Sequence, residues 1–303
     1  MNRCRAQVMT ILATVCLSGC ESEPSLTVTQ VIDRNFAGVV ALNDSKVLGL
    51  APNEIFVIDV TDPAAPTVAS PLTHSLAVDS GILHEGTLYF YDAFASGKIY
   101  AALADTQQLP PSTELFELDH IPEDIAIQGD TIYSLNRIGG LVTVDLATGA
   151  RIGEADTPLQ VRSITVQGDL AVATSTLGNL LLDVSDPSDP QPITMFGPTD
   201  LEVVDAVFGK GGVWLSTNGD VLFYDLTNPT APVEYRGIQS RLGPLLHYDD
   251  RLVVREGVWD VSDPMLPRRI AALDGDQTQQ IARAGDAVVR AGSSFVEVIT
   301  GIP

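Results

Sequence analysis

Cysteine and basic residues are scarce in this sequence. Only three of the 303 residues are cysteine, and Cys4, Cys16 and Cys20 all lie within the first twenty positions. The remaining chain therefore has no disulfide and no cysteine-ligated metal. Lysine and arginine number 17 against 39 acidic residues, which gives a formal net charge of −22. Nucleic-acid binding depends on clustered Lys and Arg, so this charge argues against a nucleic-acid partner.

Histidines and helix signals are also few. The four histidines, at positions 74, 84, 120 and 247, show no spacing typical of zinc sites. No phosphate-binding loop or G-x-S-x-G motif follows a strand-like segment. After the first twenty residues, no ten-residue segment combines a 3.6-residue apolar period with helix caps. The 45% of hydrophobic residues nevertheless excludes a disordered chain, so the sequence predicts a core built from strands.

The first twenty residues have the pattern of a secretion signal. Arg3 and Arg5 precede the apolar segment Val8–Leu17, which is too short to span a bilayer permanently. Leu17-Ser18-Gly19-Cys20 follows directly. This tetrapeptide resembles the bacterial lipobox, in which signal peptidase II cleaves before a cysteine that becomes lipidated.

The lipobox resemblance implies a processed and anchored protein. Residues 1–19 are expected to be the signal peptide, Cys20 the lipidated residue, and residues 20–25 a short polar tether. Two or more acyl chains give stable membrane anchoring. Residue 21 is Glu21, not the Asp that retains lipoproteins at the inner membrane of enteric bacteria. The resemblance therefore favours the outer membrane within the cell envelope.

The chain from residue 26 to 303 consists of a repeat. Each copy has an apolar strand-like segment that ends in Asp, then Asp-Pro or Asn-Pro, and then a second proline. The complete copies are Ile55–Pro66, Leu181–Pro190, Phe223–Pro232 and Val258–Pro267, and the degraded copies are Ile99–Pro110, Leu141–Leu146 and Phe295–Thr300. The copies recur about every 40 residues, which is the length of a four-stranded propeller blade.

Turn signals divide each repeat into strands. Gly129-Asp130 and Gly168-Asp169 separate two strand-like segments, because Gly, Asn and Asp tolerate the positive φ of tight hairpins. The Asp-Pro step ends the third strand, since proline cannot donate to a ladder. The sequence predicts an all-β, seven-bladed β-propeller as a single domain over residues 26–303. Residues 26–33 are strand-like and are expected to supply the outer strand that the seventh repeat lacks.

The repeated phrase resembles that of the LVIVD-repeat family of bacterial β-propeller proteins. The resemblance covers most of residues 36–300, although the copy at residues 99–110 lacks both the Asp and the Asp-Pro step. Many members are predicted lipoproteins or surface proteins. The family carries no established catalytic residues, so the resemblance assigns none to this chain.

Two sets of polar residues are candidates for chemistry. The repeat carboxylates are expected to be structural acceptors for N–H groups of the adjoining turns, and they are Asp59, Asp145, Asp183, Asp225 and Asp260. A second set aligns just before the inner strands, at the mouth of the central channel, and comprises Asp79, Glu123, Asp124, Arg162, Asp205, Gln279 and Gln280. Its acids, Asp79, Glu123, Asp124 and Asp205, are weak candidates for a Ca²⁺ site, because hard cations prefer several oxygen ligands.

These observations predict a lipid-anchored envelope propeller that acts as a non-catalytic binding or scaffolding module. Its partners are expected to be envelope or surface proteins, together with the membrane through the anchor, and no cofactor is expected. The alternative is a metal-dependent, lactonase-like hydrolase with its site at the channel mouth. A carbohydrate-binding propeller is a third possibility, but only 6% of residues are aromatic.

Overall fold

The computed structural model describes residues 9–11, 26–32, 36–51, 53–73, 80–91, 97–103, 113–136, 140–157, 161–273 and 278–302. Within these ranges every regular element is a β-strand. None of the described segments forms a helix long and apolar enough to cross a membrane. The strands form seven antiparallel sheets arranged as the blades of a seven-bladed β-propeller, which confirms the predicted fold class.

Each blade has four strands, ordered from the central channel outward, and the blades are numbered along the chain. The inner strands are Gly38–Asn43, Ser80–His84, Pro122–Gln128, Val161–Gln167, Val203–Gly209, Leu246–Tyr248 and Thr278–Ala284. The second strands are Lys46–Ala51, Thr87–Tyr91, Thr131–Asn136, Leu170–Ser175, Gly212–Thr217, Arg251–Val254 and Ala287–Gly292. The third strands are Glu54–Asp59, Lys98–Leu103, Leu141–Asp145, Asn179–Asp183, Gly219–Asp225, Gly257–Asp260 and Phe295–Thr300.

The outer strands differ most between blades. Those of blades 2 to 6 are Thr113–Glu117, Arg151–Ala155, Gln191–Phe196, Val233–Ser240 and Arg268–Ala272. In blade 1 the outer strand is split into Thr67–Val68 and Leu72–Thr73, which pair with opposite ends of the third strand. The outer strand of blade 7 is Thr27–Ile32, and Met9–Ile11 pairs with its free edge.

The turns define two faces of the disc. We call the Asp-Pro face the one that carries the hairpins between first and second strands together with the Asp-Pro turns after the third strands. The two kinds of turn are bonded to each other, as when Val261 N–H donates to the Asp250 carbonyl at 2.8 Å. The inner strands begin on the other side of the disc, which we call the opposite face.

The inner hairpins adopt the left-handed geometry that the turn signals predict. The first turn residue has φ of 56° at Gly129 and 59° at Gly168. The same slot holds Glu85 at 47° and Lys210 at 57°, residue types that the turn signals did not include. Tertiary pairing of the two strands therefore imposes this turn even where the local residue disfavours it.

The hydrophobic core is divided among the blade interfaces. Seven clusters of buried residues occur, one between each pair of neighbouring blades. The interface of blades 5 and 6 contains Trp214 and Phe223, whose ring centroids are 4.8 Å apart. Because alternate side chains of a strand point to opposite sides of its sheet, each blade contributes to two clusters and is stable only between two neighbours.

The two ends of the chain close the ring within blade 7. Thr27–Ile32 pairs antiparallel with Phe295–Thr300, with Thr27 opposite Thr300 and Val28 opposite Ile299. Val31 is 2% exposed and joins the cluster between blades 7 and 1. The predicted closing strand is therefore present, and it both completes the last sheet and covers hydrophobic side chains of the first blade.

Deletion of residues 26–33 should abolish cooperative unfolding or cause aggregation. The deletion exposes the backbone edge of Phe295–Thr300 and opens the interface of blades 7 and 1. Thermal and denaturant unfolding followed by circular dichroism would measure the effect. Deletion of residues 22–25 in the tether is the control and should leave the transition unchanged, whereas equal transitions for both deletions would contradict the role of the closing strand.

Candidate functional site

Three of the predicted channel-mouth residues, Asp124, Asp205 and Gln280, fall at one repeated position on the opposite face. This position lies close to the start of the regular pairing of each inner strand, and it holds Gly38, Ser80, Asp124, Ser163, Asp205, Pro244 and Gln280. In blades 3, 5 and 7 a register shift in the inner strand directly precedes it. Asp79 and Cys20 lie outside the described residues.

Asp124 connects three blades. One carboxylate oxygen, Oδ1, accepts a hydrogen bond from the hydroxyl of Tyr91 in blade 2 at 2.9 Å and from its neighbour Ile125 N–H at 2.9 Å. The other oxygen, Oδ2, accepts from Ile164 N–H in blade 4 at 2.9 Å. The carboxylate therefore holds blades 2, 3 and 4 together at the start of their inner strands.

Asp205 repeats this arrangement between blades 5 and 6. Its Oδ1 accepts from Ala206 N–H at 2.8 Å, and its Oδ2 accepts from Leu245 N–H at 2.7 Å. Leu245 lies 40 residues after Asp205, as Ile164 lies 40 residues after Asp124. The sequence separation equals one repeat because each carboxylate reaches the equivalent amide of the next blade.

Gln280 has the same role at the closure of the ring. Its Oε1 accepts from Val39 N–H of blade 1 at 3.0 Å. A Cβ atom added to Gly38 would lie 2.2 Å from this oxygen, so blade 1 needs glycine at its own copy of the position. An amide oxygen thus replaces the carboxylate where one N–H group is to be satisfied.

Burial changes the acidity of both aspartates. Loss of hydration raises the pKa of Asp124 to about 6, against the lowering effect of the bonds from Ile164, Tyr91 and Ile125. Burial likewise raises the pKa of Asp205 to about 7, and the negative charge of Asp124 adds to the increase. The hydroxyl of Tyr91 also has a pKa well above its ordinary value, because it is buried and faces the Asp124 charge.

The other predicted mouth residues are not gathered around these two. Glu123 is partly buried and raises the pKa of Asp124 through its charge. Arg162 lies 3.9 Å from Glu202, and Gln279 is exposed. Within the described ranges no three His, Cys, Asp or Glu side chains form a group that could hold a metal ion.

The repeat aspartates lie on the Asp-Pro face. Each accepts the N–H of a residue two or three positions further along the chain, and the distances run from 2.7 Å at Asp145 to 3.0 Å at Asp260. Hydrogen bonds from the Ser or Thr side chain and backbone lower the pKa of all five carboxyls. These residues are spread over five blades, and each is engaged in its own turn.

Sequence reasoning located the channel-mouth carboxylates but not what they bind. It also missed Tyr91, which lies in a blade whose repeat is degraded. The signal available in the sequence was the equal spacing of 40 residues between each acceptor and its amide. The arrangement can join blades and can hold protons near neutral pH.

Comparison with known proteins supports the fold alone. No protein-family model matches the chain, and no curated protein sequence matches it. Among solved structures, the chain is similar to the computationally designed protein Ika8, with a TM-score of 0.64 and 14% sequence identity. The alignment covers 88% of this chain and 96% of that chain. The class that the architecture defines is a seven-bladed β-propeller.

The protein should become more stable as the pH falls from 8 to about 5. The folded-state pKa values of Asp124 and Asp205 are about 6 and 7, above the unfolded value of about 3.9, so the folded chain binds more protons in this window. Below about pH 4 the lowered pKa values of the repeat aspartates reverse the trend, because their turn bonds are lost on protonation. Melting temperature against pH measures both effects.

The Asp124→Asn/Asp205→Asn double variant should flatten the rise between pH 8 and 5. Burial lowers the pKa of His247, which opposes this rise. Because His247 is present in both proteins, its contribution cancels when the variant is compared with the wild type. Asp169→Asn, at an exposed turn, is the control and should keep the wild-type slope. A double variant with the wild-type slope would show that these carboxyls do not titrate as inferred.

Proposed function

We propose that this protein is a lipid-anchored β-propeller of the cell envelope that binds or scaffolds other envelope or surface proteins without catalysing a reaction. The observation that carries the proposal is the use of the channel-mouth carboxylates. Asp124 and Asp205 are the residues that an enzyme at this mouth would need, and both accept bonds from backbone amides of neighbouring blades. These contacts explain the two carboxylates as structural acceptors that join neighbouring blades.

The resemblance to the LVIVD-repeat family supports the same proposal. The Asp-Pro phrase that suggested the family forms the same turn in blades 1, 4, 5 and 6. In each, a backbone N–H donates to the carbonyl of the Asp or Asn that precedes proline, at 3.0 to 3.1 Å. A repeated turn of this kind is a scaffold feature, which agrees with a family that carries no established catalytic residues.

The anchor is proposed from the Leu17–Cys20 motif and from the course of the chain. After the expected cleavage site the described chain begins at Leu26, directly before the closing strand, so a lipid on Cys20 would be joined to blade 7 by a short segment. Glu21 favours the outer membrane as the location. Binding partners would then meet the propeller at a membrane surface outside the cytoplasm.

Replacement of Cys20 by alanine should abolish lipidation. Signal peptidase II requires the cysteine at its cleavage site, and the sulfur of that cysteine carries the diacylglyceryl group. Metabolic labelling with a clickable palmitate analogue should mark the wild-type protein and leave Cys20→Ala unlabelled at its precursor size. Cys16→Ala, within the apolar segment, is the matched control and should label normally. Equal labelling of wild type and Cys20→Ala would contradict the lipobox interpretation.

One observation favours the alternative of a metal-dependent hydrolase. The Asp124 charge raises the pKa of Asp205, so the negative charge of one carboxylate acts on the other across the mouth. A bound cation would relieve this repulsion and would stabilise the folded chain by an amount that depends on its affinity, about 2.7 kcal/mol at one hundred times Kd.

Calcium should change the melting temperature by less than about 2 °C relative to chelator. If the channel mouth does not bind the ion, calcium adds no binding free energy to the folded state. Differential scanning fluorimetry in excess CaCl₂ and in EDTA would measure the shift. Asp124→Ala and Asp205→Ala are the informative variants, and Asp169→Ala is the control. A clear calcium-dependent rise that disappears in either informative variant would favour the hydrolase instead.

A further inference from the structure

One copy of the Asp-Pro turn carries large apolar side chains at its tip. In blade 6, Met265 is 47% exposed and Leu266 is 76% exposed. The equivalent tip positions in the other complete copies hold Ala64-Ala65, Ser188-Asp189 and Thr230-Ala231. Among the complete copies, a tip of two large hydrophobic residues is therefore particular to blade 6.

The geometry of the turn does not explain these residues. Met265 N–H donates to Asp263 Oδ1 at 3.0 Å, and Leu266 N–H donates to the Asp263 carbonyl at 3.1 Å. Ala64 and Ala65 make the same two bonds to Asp62, at 3.1 and 3.0 Å. Since alanine satisfies the same turn, Met265 and Leu266 have no folding role that the smaller residues lack.

The blade 6 tip lies on the face from which the tether leaves. Thr27 pairs with Thr300, at the end of the third strand of blade 7, and third strands end on the Asp-Pro face. Leu26 and Ile302 pack in the cluster between blades 6 and 7. A depression of about 500 Å³ on this face is lined by residues of both blades, including Arg251 and Ile302. The chain therefore enters the propeller beside blade 6.

The length of the tether keeps this face near the bilayer. Cys20 and Leu26 are six residues apart, and six residues span at most about 20 Å even when fully extended. A lipid on Cys20 thus holds the Asp-Pro face of blades 6 and 7 close to the membrane. Tethering at such short range raises the effective concentration of a weak contact.

Charge favours contact through blade 6 rather than through the blades across the ring. The Asp-Pro face of blades 3 and 4 carries six aspartates, none of which forms an ion pair within the described chain: Asp130, Asp145, Asp169, Asp183, Asp186 and Asp189. Beside the blade 6 tip, Asp260 lies 3.6 Å from Arg268 and 3.9 Å from Arg251.

Two neighbouring acids at the rim of blade 6 are also paired, whereas Asp263 and Asp286 form no ion pair within the described residues. Asp249 lies 3.2 Å from Arg283, and Asp250 pairs with Lys210. An anionic bilayer repels unpaired carboxylates, so it would repel this sector less than the sector of blades 3 and 4.

We propose that Met265 and Leu266 insert into the interfacial layer of the phospholipid bilayer to which Cys20 is anchored. The propeller then lies with the Asp-Pro face of blades 6 and 7 on the membrane. The opposite face, with the channel mouth at Asp124 and Asp205, points towards the aqueous compartment. This proposal rests on the lipid anchor proposed above.

The test places a fluorescent probe at the tip of the full lipidated chain. Cleavage removes Cys4 and Cys16, and acylation blocks Cys20, so Met265→Cys provides a single free thiol for bimane. Ala64→Cys is the matched control, because it occupies the same turn position in blade 1, which flanks blade 7 on its other side. Vesicles of phosphatidylethanolamine and phosphatidylglycerol, with or without headgroup-region spin-labelled lipid, are the membrane.

Bimane at position 265 should shift to the blue on vesicles and be quenched at least twofold more than bimane at position 64. Adding Leu266→Ala to the Met265→Cys chain should reduce that quenching, because Leu266 is the more exposed apolar residue. Equal quenching at the two positions in protein that floats with the vesicles would overturn the contact and leave the anchor intact. A blue shift of bimane at position 265 in the absence of vesicles would show that another part of the protein covers the tip. That result would also overturn the proposal.

Flotation of the protein with the vesicles tests the lipid anchor separately from the contact made by Met265 and Leu266. If the wild-type chain does not float with the vesicles, the anchor is wrong, and the membrane contact that depends on it is wrong as well. If the chain floats, the fluorescence at positions 265 and 64 decides the contact alone.

Discussion

Burial of hydrophobic side chains between neighbouring blades is the interaction on which this structure depends. Each of the seven core clusters lies between two blades, so none belongs to one sheet alone. A linear array would leave two blades with an uncovered side. Pairing of Thr27–Ile32 with Phe295–Thr300 removes both uncovered sides at once. Six residues near the start of the propeller therefore determine whether the first and last blades have partners.

Polar groups at the channel mouth reinforce the same contacts, because blades that carry an acceptor side chain alternate with blades that supply the N–H group. Acceptors in blades 3, 5 and 7 reach the amides of blades 4, 6 and 1, and the receiving blades hold Ser163, Pro244 and Gly38 at their own copies of the position. An odd number of blades cannot alternate completely, and blade 2 is the one left over. There the hydroxyl of Tyr91 reaches Asp124 from a second strand. The raised pKa values follow from this design, because a carboxylate placed between blades loses hydration.

Much of this architecture could be predicted from the sequence, because each blade must satisfy the same backbone geometry. The Asp-Pro phrase recurs after the third strands of blades 1, 4, 5 and 6, and the closing strand follows from a last repeat that lacks an outer strand. Contacts across blades were harder to predict. The closeness of Gln280 to Gly38 depends on ring closure, which brings residues 242 positions apart together. Tyr91 was missed because blade 2 has lost the phrase that aligns the repeats.

Comparison of the repeat copies also distinguishes residues that the fold requires from residues that it does not require. Asp62, Asp186, Asn228 and Asp263 each accept the same turn bond, so that position is accounted for by folding in every copy. The hydroxyls of Ser188 and Thr230 add a bond to the same acceptor in two copies. Ala64 and Ala65 satisfy the turn by backbone bonds alone, so the fold requires no particular side chain at the tip. A departure there costs solubility without improving the turn. Leu266, exposed over 76% of its surface, is the largest such departure among the complete copies. The copy that carries Leu266 lies in blade 6, beside blade 7, where the chain enters the ring. In a closed ring of similar blades, the position of the chain ends is what makes this sector different from the others.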